Sequence, residues 1–282
     1  MPNAAQAHAV SRLRSARLAR SSKPFLARGG PRGERCAACR LVPSHCLCGV
    51  RPVVTTRAGI CLIMADIEPL KPSNTGWLVA DVVPDTAAFG WARTEVDPAL
   101  IAMLADPQWQ PYVVFPGEFV APERVVTQLI VSSNPRSDGA WGPQFPAGPP
   151  QGELAPMGGS DPRCSGAWGP KSTRPLFVLL DATWPEARKM FRKSPYLDHL
   201  PVLSLQPDQI SRYKLRRSRR DDHFCTSEVA SLCLNLAGDT RATQTLEAYL
   251  DVFTHHYLQA KHQLPVDHDN EAHRRLRALR QF

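Results

Sequence analysis

The sequence predicts an α/β fold, with a mainly parallel sheet and flanking helices, preceded by a small cysteine knot. Apolar runs such as residues 59–64 and 175–180 lack the polar alternation of a half-exposed sheet, so they indicate strands covered on both faces. Segments with apolar residues at helical spacing lie between such runs, an alternation that is typical of a parallel sheet. Four cysteines within thirteen positions indicate the knot.

Composition and charge indicate a globular protein with a polyanionic partner. Of the 282 residues, 43% are hydrophobic, but no apolar run is long enough to span a bilayer, so we expect no membrane partner. The net charge of +8 is unevenly spread: residues 1–35 hold eight cations and one acid, and six of the nine residues from Arg212 to Arg220 are basic. Such runs are the usual footprint of a nucleic acid, although a solvated charged loop has the same composition.

The two ends of the chain are predicted to lie outside the core. Residues 1–34 are expected to form a disordered basic arm, although their acid-poor, Arg- and Ser-rich composition also fits a mitochondrial transit peptide. Residues 263–282 are expected to form a basic C-terminal tail. No secretory signal precedes the cysteines, which favours a cytoplasmic location over one that supports disulfides.

The cysteine cluster occupies residues 35–52, and its spacing favours zinc. Cys36 and Cys39 form a C-x-x-C pair, and Cys46 and Cys48 follow six residues later as a C-x-C pair. Zn²⁺ takes four tetrahedral donors and suits a thiolate quartet, so we expect a structural site with every position filled by protein. Two disulfides or four free thiols are the alternatives.

The next part of the chain is predicted to contain two strands and one helix. Residues 59–64 form a strand, and residues 69–76 form a turn-rich stretch that ends in Asn-Thr-Gly. A short helix over 98–105 and a second buried strand over 112–115 follow. Residues 133–175 are dominated by Pro, Gly and Ser and bury too little apolar surface to become ordered, so we interpret them as a flexible insertion.

Asp181 lies where the apolar run 175–180 meets a predicted helix. In open α/β sheets, ligands bind beyond the carboxyl ends of the strands, so a carboxylate at this point is a candidate for chemistry. The alternative is that Asp181 merely caps the helix. Thr183 and Glu186 match a capping box and supply a cap of their own, which favours the functional interpretation.

Three further elements are predicted after this helix. Residues 201–205 form a strand. Apolar residues at helical spacing begin at Thr226, and Gly238 ends that helix. A longer helix contains residues 246–257, which completes the alternation of strands and helices.

The chain resembles the DTW-domain family, the bacterial type of tRNA-uridine aminocarboxypropyltransferase. Its D-x-T-W signature occurs as Asp181-Ala-Thr-Trp184, and further motifs occur in the family's order over roughly residues 35–260. These motifs are the cysteine quartet, Lys71–Gly76, Val114–Glu118, Trp184–Lys189, Ser211–Arg217 and Thr226–Ala230. Two positions depart from the pattern: Ala65 lies in a stretch where the family commonly has a His, and Trp77 follows Asn-Thr-Gly where it commonly has an Arg.

The resemblance implies a reaction and a domain. The reaction is transfer of the 3-amino-3-carboxypropyl group from S-adenosylmethionine to N3 of a uridine in tRNA, giving acp3U and methylthioadenosine. The catalytic domain would span residues 53–262, with a fold related to the knotted SPOUT-type RNA methyltransferases. An S-adenosylmethionine-dependent RNA methyltransferase and a non-catalytic zinc-ribbon RNA-binding protein are the alternatives.

The resemblance, together with the residue types, also implies individual roles. The candidate catalytic residues are Asp181, Thr183 and Trp184. The residues expected to bind S-adenosylmethionine are Asn74, Thr75, Gly76, Glu118, Tyr213, Arg216, Thr226 and Glu228. The basic residues expected to bind RNA are Arg188, Lys189, Arg212, Lys214, Arg217, Arg219 and Arg220.

Several of these residues also have a purely structural interpretation. Trp184 suits stacking on a base and packing of its helix against the sheet equally well. Thr226 and Glu228 would cap a helix without any ligand. The sulfonium of the donor loses its charge during transfer, so a carboxylate at the sulfur would favour the ground state over the transition state. We therefore expect Asp181 to accept the N3 proton or to hold the α-amino group of the donor.

Overall fold

The computed structural model describes residues 7–22, 25, 34–129, 173–205 and 224–280. In chain order, its strands β1 to β6 are Gly59–Met64, Thr86–Gly90, Trp109–Val114, Val125–Val126, Arg174–Asp181 and Val202–Leu203. They form one sheet in the order β2-β1-β5-β3-β6-β4, and every neighbouring pair is parallel. The mainly parallel sheet that the sequence predicts is therefore confirmed.

Seven helices accompany the sheet in the described part of the chain. In chain order, α1 to α7 are Ala9–Ala19, Gly76–Val82, Pro98–Ala105, Trp184–Arg192, Thr226–Leu236, Thr240–His262 and Glu271–Arg280. Short 3₁₀ helices connect several elements, at Pro43–His45, Cys48–Val50, Glu68–Leu70, Gly117–Phe119, Pro122–Arg124 and Pro195–Leu197. None of the described helices is both long enough and apolar enough to cross a membrane.

Both faces of the sheet are buried, as the continuous apolar runs predict. Ile60 and Leu62 of β1 point into the first core cluster, which also contains buried residues of α2, α5 and α6. Cys61 and Ile63 point into the second core cluster, which contains buried residues of α3 and α4. Alternate side chains of the same strand thus pack against helices on opposite sides.

Several predicted boundaries match the observed ones. α3 begins at Pro98 and ends at Ala105. α4 follows Thr183, whose predicted capping box with Glu186 is present. Gly238 follows α5 with a φ of 78°, a left-handed conformation that favours glycine at the end of a helix. Most of the predicted insertion, residues 133–172, lies outside the described residues.

The N-terminal arm differs from the prediction because part of it is a helix. Residues of this arm form α1, and its Val10 is completely buried in the first core cluster. Arg14 donates a hydrogen bond of 2.8 Å to the carbonyl oxygen of Leu70, and Arg17 forms a 2.7 Å ion pair with Asp66. Two cations of the predicted disordered arm, Arg14 and Arg17, therefore bind the segment that follows β1. These tertiary contacts stabilise the helix.

Replacing Val10 with alanine tests whether α1 belongs to the folded core. We expect Val10→Ala to lower the free energy of unfolding by about 2 kcal/mol, because it removes two buried methyl groups and leaves a cavity. Urea denaturation followed by circular dichroism measures the change. Val53→Ala is the matched control, since Val53 is 61% exposed. Equal, near-zero effects of the two substitutions would contradict the docking of α1.

Candidate active site at the carboxyl edge of the sheet

Two neighbouring strands deliver polar residues to the same edge of the sheet. β1 and β5 are parallel, and their last residues, Met64 and Asp181, lie opposite each other. The backbone N–H of Ala65 donates to the carbonyl oxygen of Asp181 over 3.0 Å, which keeps the two strand ends together. The turn after β1 therefore lies beside the end of β5, the position at which open α/β sheets bind ligands.

The Asp181 side chain is buried and held at both oxygens. It is only 2% exposed. The Asn74 side-chain amide donates to Oδ2 over 2.7 Å, and the Thr226 hydroxyl donates to Oδ1 over 2.8 Å. Three residues that the sequence analysis assigned to the site are thus brought into direct contact from three distant parts of the chain.

Asn74 links Asp181 to a second buried carboxylate, that of Glu68. The Asn74 Oδ1 atom accepts a 3.0 Å hydrogen bond from the backbone N–H of Trp77, so its NH₂ group must face the carboxylates. That NH₂ group lies 2.7 Å from Asp181 Oδ2 and 3.4 Å from Glu68 Oε2. One amide therefore bridges two acidic side chains at the sheet edge.

Sequence reasoning did not assign Glu68 to the site. Glu68 is completely buried on the short helix Glu68–Leu70 and forms an ion pair with Lys71. Burying a carboxylate is costly without such a partner. The i, i+3 spacing of Glu68 and Lys71, directly after a buried strand, is the signal in the sequence that could have indicated a paired internal carboxylate.

Gly76 is required because Asp181 occupies the space beside it. A Cβ atom at residue 76 would lie 2.4 Å from Asp181 Oδ2 and 3.3 Å from Leu62 Cδ1. Thr75, just before it, accepts a 3.3 Å hydrogen bond from the backbone N–H of Ser227. The Asn-Thr-Gly turn therefore contacts both the end of β5 and the first turn of α5.

Glu228 has a structural contact at the start of α5. Its Oε2 atom accepts a 2.8 Å hydrogen bond from the backbone N–H of Cys225, as part of a capping box. Burial and the nearby Glu228 carboxylate raise the pKa of the Cys225 thiol well above its usual value. Glu118, by contrast, is exposed on the short helix Gly117–Phe119, unlike the buried polar residues around Asp181.

Arg40 connects the cysteine cluster to this site. One terminal nitrogen of its guanidinium, NH1, donates to the carbonyl oxygens of Lys71, Pro72 and Asn74 at 3.0, 3.2 and 3.1 Å. Its Cζ atom lies 4.3 Å from the centre of the Trp77 ring, in a cation–π contact. Burial lowers the pKa of Arg40 to about 10, so the group remains charged at neutral pH. A buried cation thus holds the turn that contains Asn74.

The four cysteines have the geometry of a tetrahedral metal site. The Sγ atoms of Cys36 and Cys48 are 3.6 Å apart, as are those of Cys39 and Cys46, and those of Cys36 and Cys46 are 3.8 Å apart. Sulfurs about 2.3 Å from a tetrahedral zinc ion lie about 3.8 Å from one another. All four are free cysteines, which contradicts the disulfide alternative. The quartet could therefore hold a metal, and its geometry is compatible with zinc.

Thr183 and Trp184, which were candidate catalytic residues, make structural contacts in the fold. The exposed Thr183 accepts and donates within the capping box of α4. The Trp184 ring stacks on Phe115 with centroids 5.5 Å apart and contacts Phe119 at 5.6 Å. Trp184 therefore packs its helix against the second core cluster.

Two of the predicted RNA-binding residues are exposed on α4. The Arg188 guanidinium lies 4.6 Å from the Phe119 ring centre, and the Lys189 Nζ atom lies 5.9 Å from the Trp91 ring centre. The other predicted residues of this kind lie outside the described residues: Arg212, Lys214, Arg217, Arg219 and Arg220. The same holds for the predicted donor-binding residues Tyr213 and Arg216.

Comparison with known families agrees with this arrangement. The model of the DTW domain matches residues 33–258, which is most of the chain. The chain belongs to the DTW-domain family. The match contains the cysteine quartet and also Asp181 with its two hydrogen-bond partners, Asn74 and Thr226. Membership is consistent with a tRNA-modifying enzyme. No solved structure matches the chain significantly.

The close approach of Gly76 and Asp181 can be tested by adding a methyl group. We expect Gly76→Ala to lower the free energy of unfolding by about 1–2 kcal/mol, because the new Cβ displaces a buried carboxylate from its hydrogen bond with Asn74. Chemical denaturation measures the change. Gly49→Ala is the control, since a Cβ at Gly49 would meet no atom within 4 Å. Indistinguishable effects would contradict the contact.

Proposed function

We propose that this DTW-family protein transfers the 3-amino-3-carboxypropyl group of S-adenosylmethionine to N3 of a uridine in tRNA. The products are acp3U in the tRNA and methylthioadenosine. The observation that supports this proposal most is the buried Asp181 of the family signature, held by Asn74 and Thr226 at the carboxyl edge of the sheet. Residues from three family motifs meet there.

The chemistry of the donor limits what Asp181 does. As the bond to sulfur breaks, the sulfonium loses its positive charge, so a carboxylate touching sulfur would stabilise the reactant more than the transition state. Asp181 therefore acts away from the sulfur. Its two oxygens are held by two donors, which suits a group that positions a reactant rather than one that must reorient to collect a proton.

A cationic amino group is the reactant that fits this site best. Asp181 and Glu68 are both buried beside the Asn74 amide, and Lys71 pairs with Glu68. Carboxylates in a dry site form short, strong hydrogen bonds with an ammonium group. We assign the α-amino group of the donor to Asp181, and we retain Tyr213 and Arg216 as the proposed partners of its carboxylate.

The acceptor is proposed to approach along the basic side chains that begin at α4. Arg188 and Lys189 are exposed on α4, the helix that starts at Trp184, three residues after Asp181. Together with the basic run around Arg212, they would bind the phosphates of tRNA, and such contacts weaken as salt increases.

Zinc is proposed as the ion in the cysteine quartet, where it would act structurally. Four thiolates fill a tetrahedral coordination sphere, so no position is left for a substrate. The ion would stabilise the loop from which Arg40 reaches the site turn. The seven cysteines in the described part of the chain are free, which supports the proposal of a reducing, cytoplasmic location.

Asp181→Asn tests the proposed reaction. The new side-chain NH₂ would face the Asn74 NH₂ or the Thr226 hydroxyl, and the negative charge would be lost. We expect acp3U formation to fall by about 100-fold or more, because the donor is no longer positioned, while tRNA binding is retained. Mass spectrometry of nucleosides from tRNA incubated with protein and S-adenosylmethionine measures the product.

Asp198→Asn is the matched control, since the Asp198 side chain is 68% exposed. Its activity should equal that of the wild type. Release of S-adenosylhomocysteine instead of methylthioadenosine would identify an RNA methyltransferase. Unchanged tRNA modification in Asp181→Asn would contradict the role proposed for Asp181. No modification by the wild type would favour a non-catalytic RNA-binding protein.

Cys39→Ser tests the zinc site separately. We expect this variant to lose one zinc ion per chain and to unfold at lower denaturant concentration, because metal binding contributes directly to folding. Elemental analysis and chemical denaturation measure the two effects. Cys164→Ser is the matched control, because it makes the same substitution outside the quartet. Zinc content that is the same in both variants would contradict the site.

A further inference from the structure

A second cluster of metal-donor side chains lies at the junction of α6 and α7, apart from the cysteine quartet. His256 is on α6, His268 lies in the turn between the helices, and His273 is on α7. One donor nitrogen from each ring lies within 4.8 Å of the others. His256 and His273 are 1% and 2% exposed, whereas His268 is exposed.

The tautomer of His256 follows from its backbone contact. The Nδ1 atom lies 2.9 Å from the carbonyl oxygen of His45, which belongs to the short helix Pro43–His45. A carbonyl oxygen only accepts hydrogen bonds, so Nδ1 must carry the proton. The Nε2 atom of His256 is therefore the nitrogen with the free lone pair.

The tautomer of His273 follows from Asn270. The Asn270 Nδ2 atom donates to the carbonyl oxygen of Asp267 over 2.8 Å, and its Oδ1 atom accepts from the backbone N–H of His273 over 3.0 Å. These two bonds fix the orientation of the amide. The His273 Nδ1 atom lies 3.0 Å from the same Oδ1 atom and is therefore the donor in that contact. Its Nε2 atom also presents a lone pair.

The two lone pairs face each other. The Nε2 atoms of His256 and His273 are 3.0 Å apart, inside the protein. Two acceptor nitrogens at this distance repel each other unless a positive centre lies between them. The exposed imidazole of His268 lies beside them, so three nitrogen donors meet at this point.

We propose that His256, His268 and His273 bind a divalent transition-metal ion, with zinc as the expected occupant. Nitrogens about 2.0–2.1 Å from a tetrahedral zinc lie about 3.3 Å apart, so the two buried rings need to separate by only a few tenths of an ångström. The Nδ1–H groups donate to a backbone carbonyl and an amide oxygen, as the second nitrogens of metal-bound histidines do. Because His268 is exposed, water can take the fourth position.

The ion would fasten the C-terminal helix to the rest of the molecule. Two ligands come from α7 and the turn before it, and the third comes from α6 and is hydrogen-bonded to the cysteine segment through His45. His268 and His273 lie beyond residue 258, where the DTW-domain match ends. Two of the three ligands therefore lie outside the matched family domain, and the site shares no residue with the proposed transferase site.

Metal titration of the full-length protein tests the proposal. The chain is stripped with a chelator under reducing conditions and titrated with Zn²⁺ or Co²⁺, with bound metal measured by elemental analysis. We expect two ions per chain in the wild type and one in His268→Ala. The affinity for the second ion should fall at least tenfold, because removing even a hydrogen-bond partner of a metal ligand lowers metal affinity by about 10–100-fold. His268 is exposed, so its replacement leaves the fold intact.

Cobalt distinguishes the two sites. Thiolate ligands give Co²⁺ an intense near-ultraviolet charge-transfer band, which should be retained in His268→Ala, whereas the weaker visible bands of the nitrogen-bound ion should disappear. His273→Gln should behave in the same way. His262→Ala, which replaces an exposed histidine at the end of α6, is the control and should still bind two ions. A wild-type chain that binds no ion beyond the quartet, or a second ion that persists in His268→Ala, would overturn the proposal.

Discussion

The position of the site depends on the buried guanidinium of Arg40. Its three hydrogen bonds to carbonyl oxygens hold the turn from Lys71 to Asn74 against the cysteine segment. These acceptors satisfy NH1 alone, since the buried Nε and NH2 atoms of Arg40 have no hydrogen-bond partner among the described residues. A buried cation is costly without such acceptors, so the turn stabilises the arginine and the arginine holds the turn. Asn74 in turn orients Asp181. A side chain four residues from the first cysteine therefore governs the geometry at the end of β5.

At Trp77 this chain differs from the family pattern, yet a positive charge still lies beside the Asn-Thr-Gly turn. The resemblance leads one to expect an arginine after Asn-Thr-Gly, but the residue here is a completely buried tryptophan. Its ring lies beneath the Arg40 guanidinium, and its Nε1–H donates to the carbonyl oxygen of Ala38 over 3.1 Å. The cation beside the turn thus comes from the cysteine segment, and Trp77 fixes the place where the two segments meet.

Patterns of apolar residues predicted the fold better than the site. β1 and β5 were predictable because strands covered on both faces are continuously apolar, and α4 because its capping box is local. α1 was not, because its stability comes from Val10 and from contacts with a distant turn. Asp181, Asn74 and Thr226 were predictable through family motifs. The histidine cluster was not, because a tertiary contact that no short spacing encodes brings His256 and His273 together. Glu68 was missed although its i, i+3 spacing from Lys71 was an available signal.

The strand order has a consequence for how the chain folds. β1 and β3 each pair with β5, which lies between them in space but follows both along the chain. Until residue 181 has left the ribosome, only β1 and β2 of the described strands can pair, and β3 and β4 still lack their partners β5 and β6. Such open strand edges are liable to associate with other chains. Because β5 ends in Asp181 and its partner Thr226 follows later still, the candidate site forms only after this long-range pairing, which makes the topology slow to form.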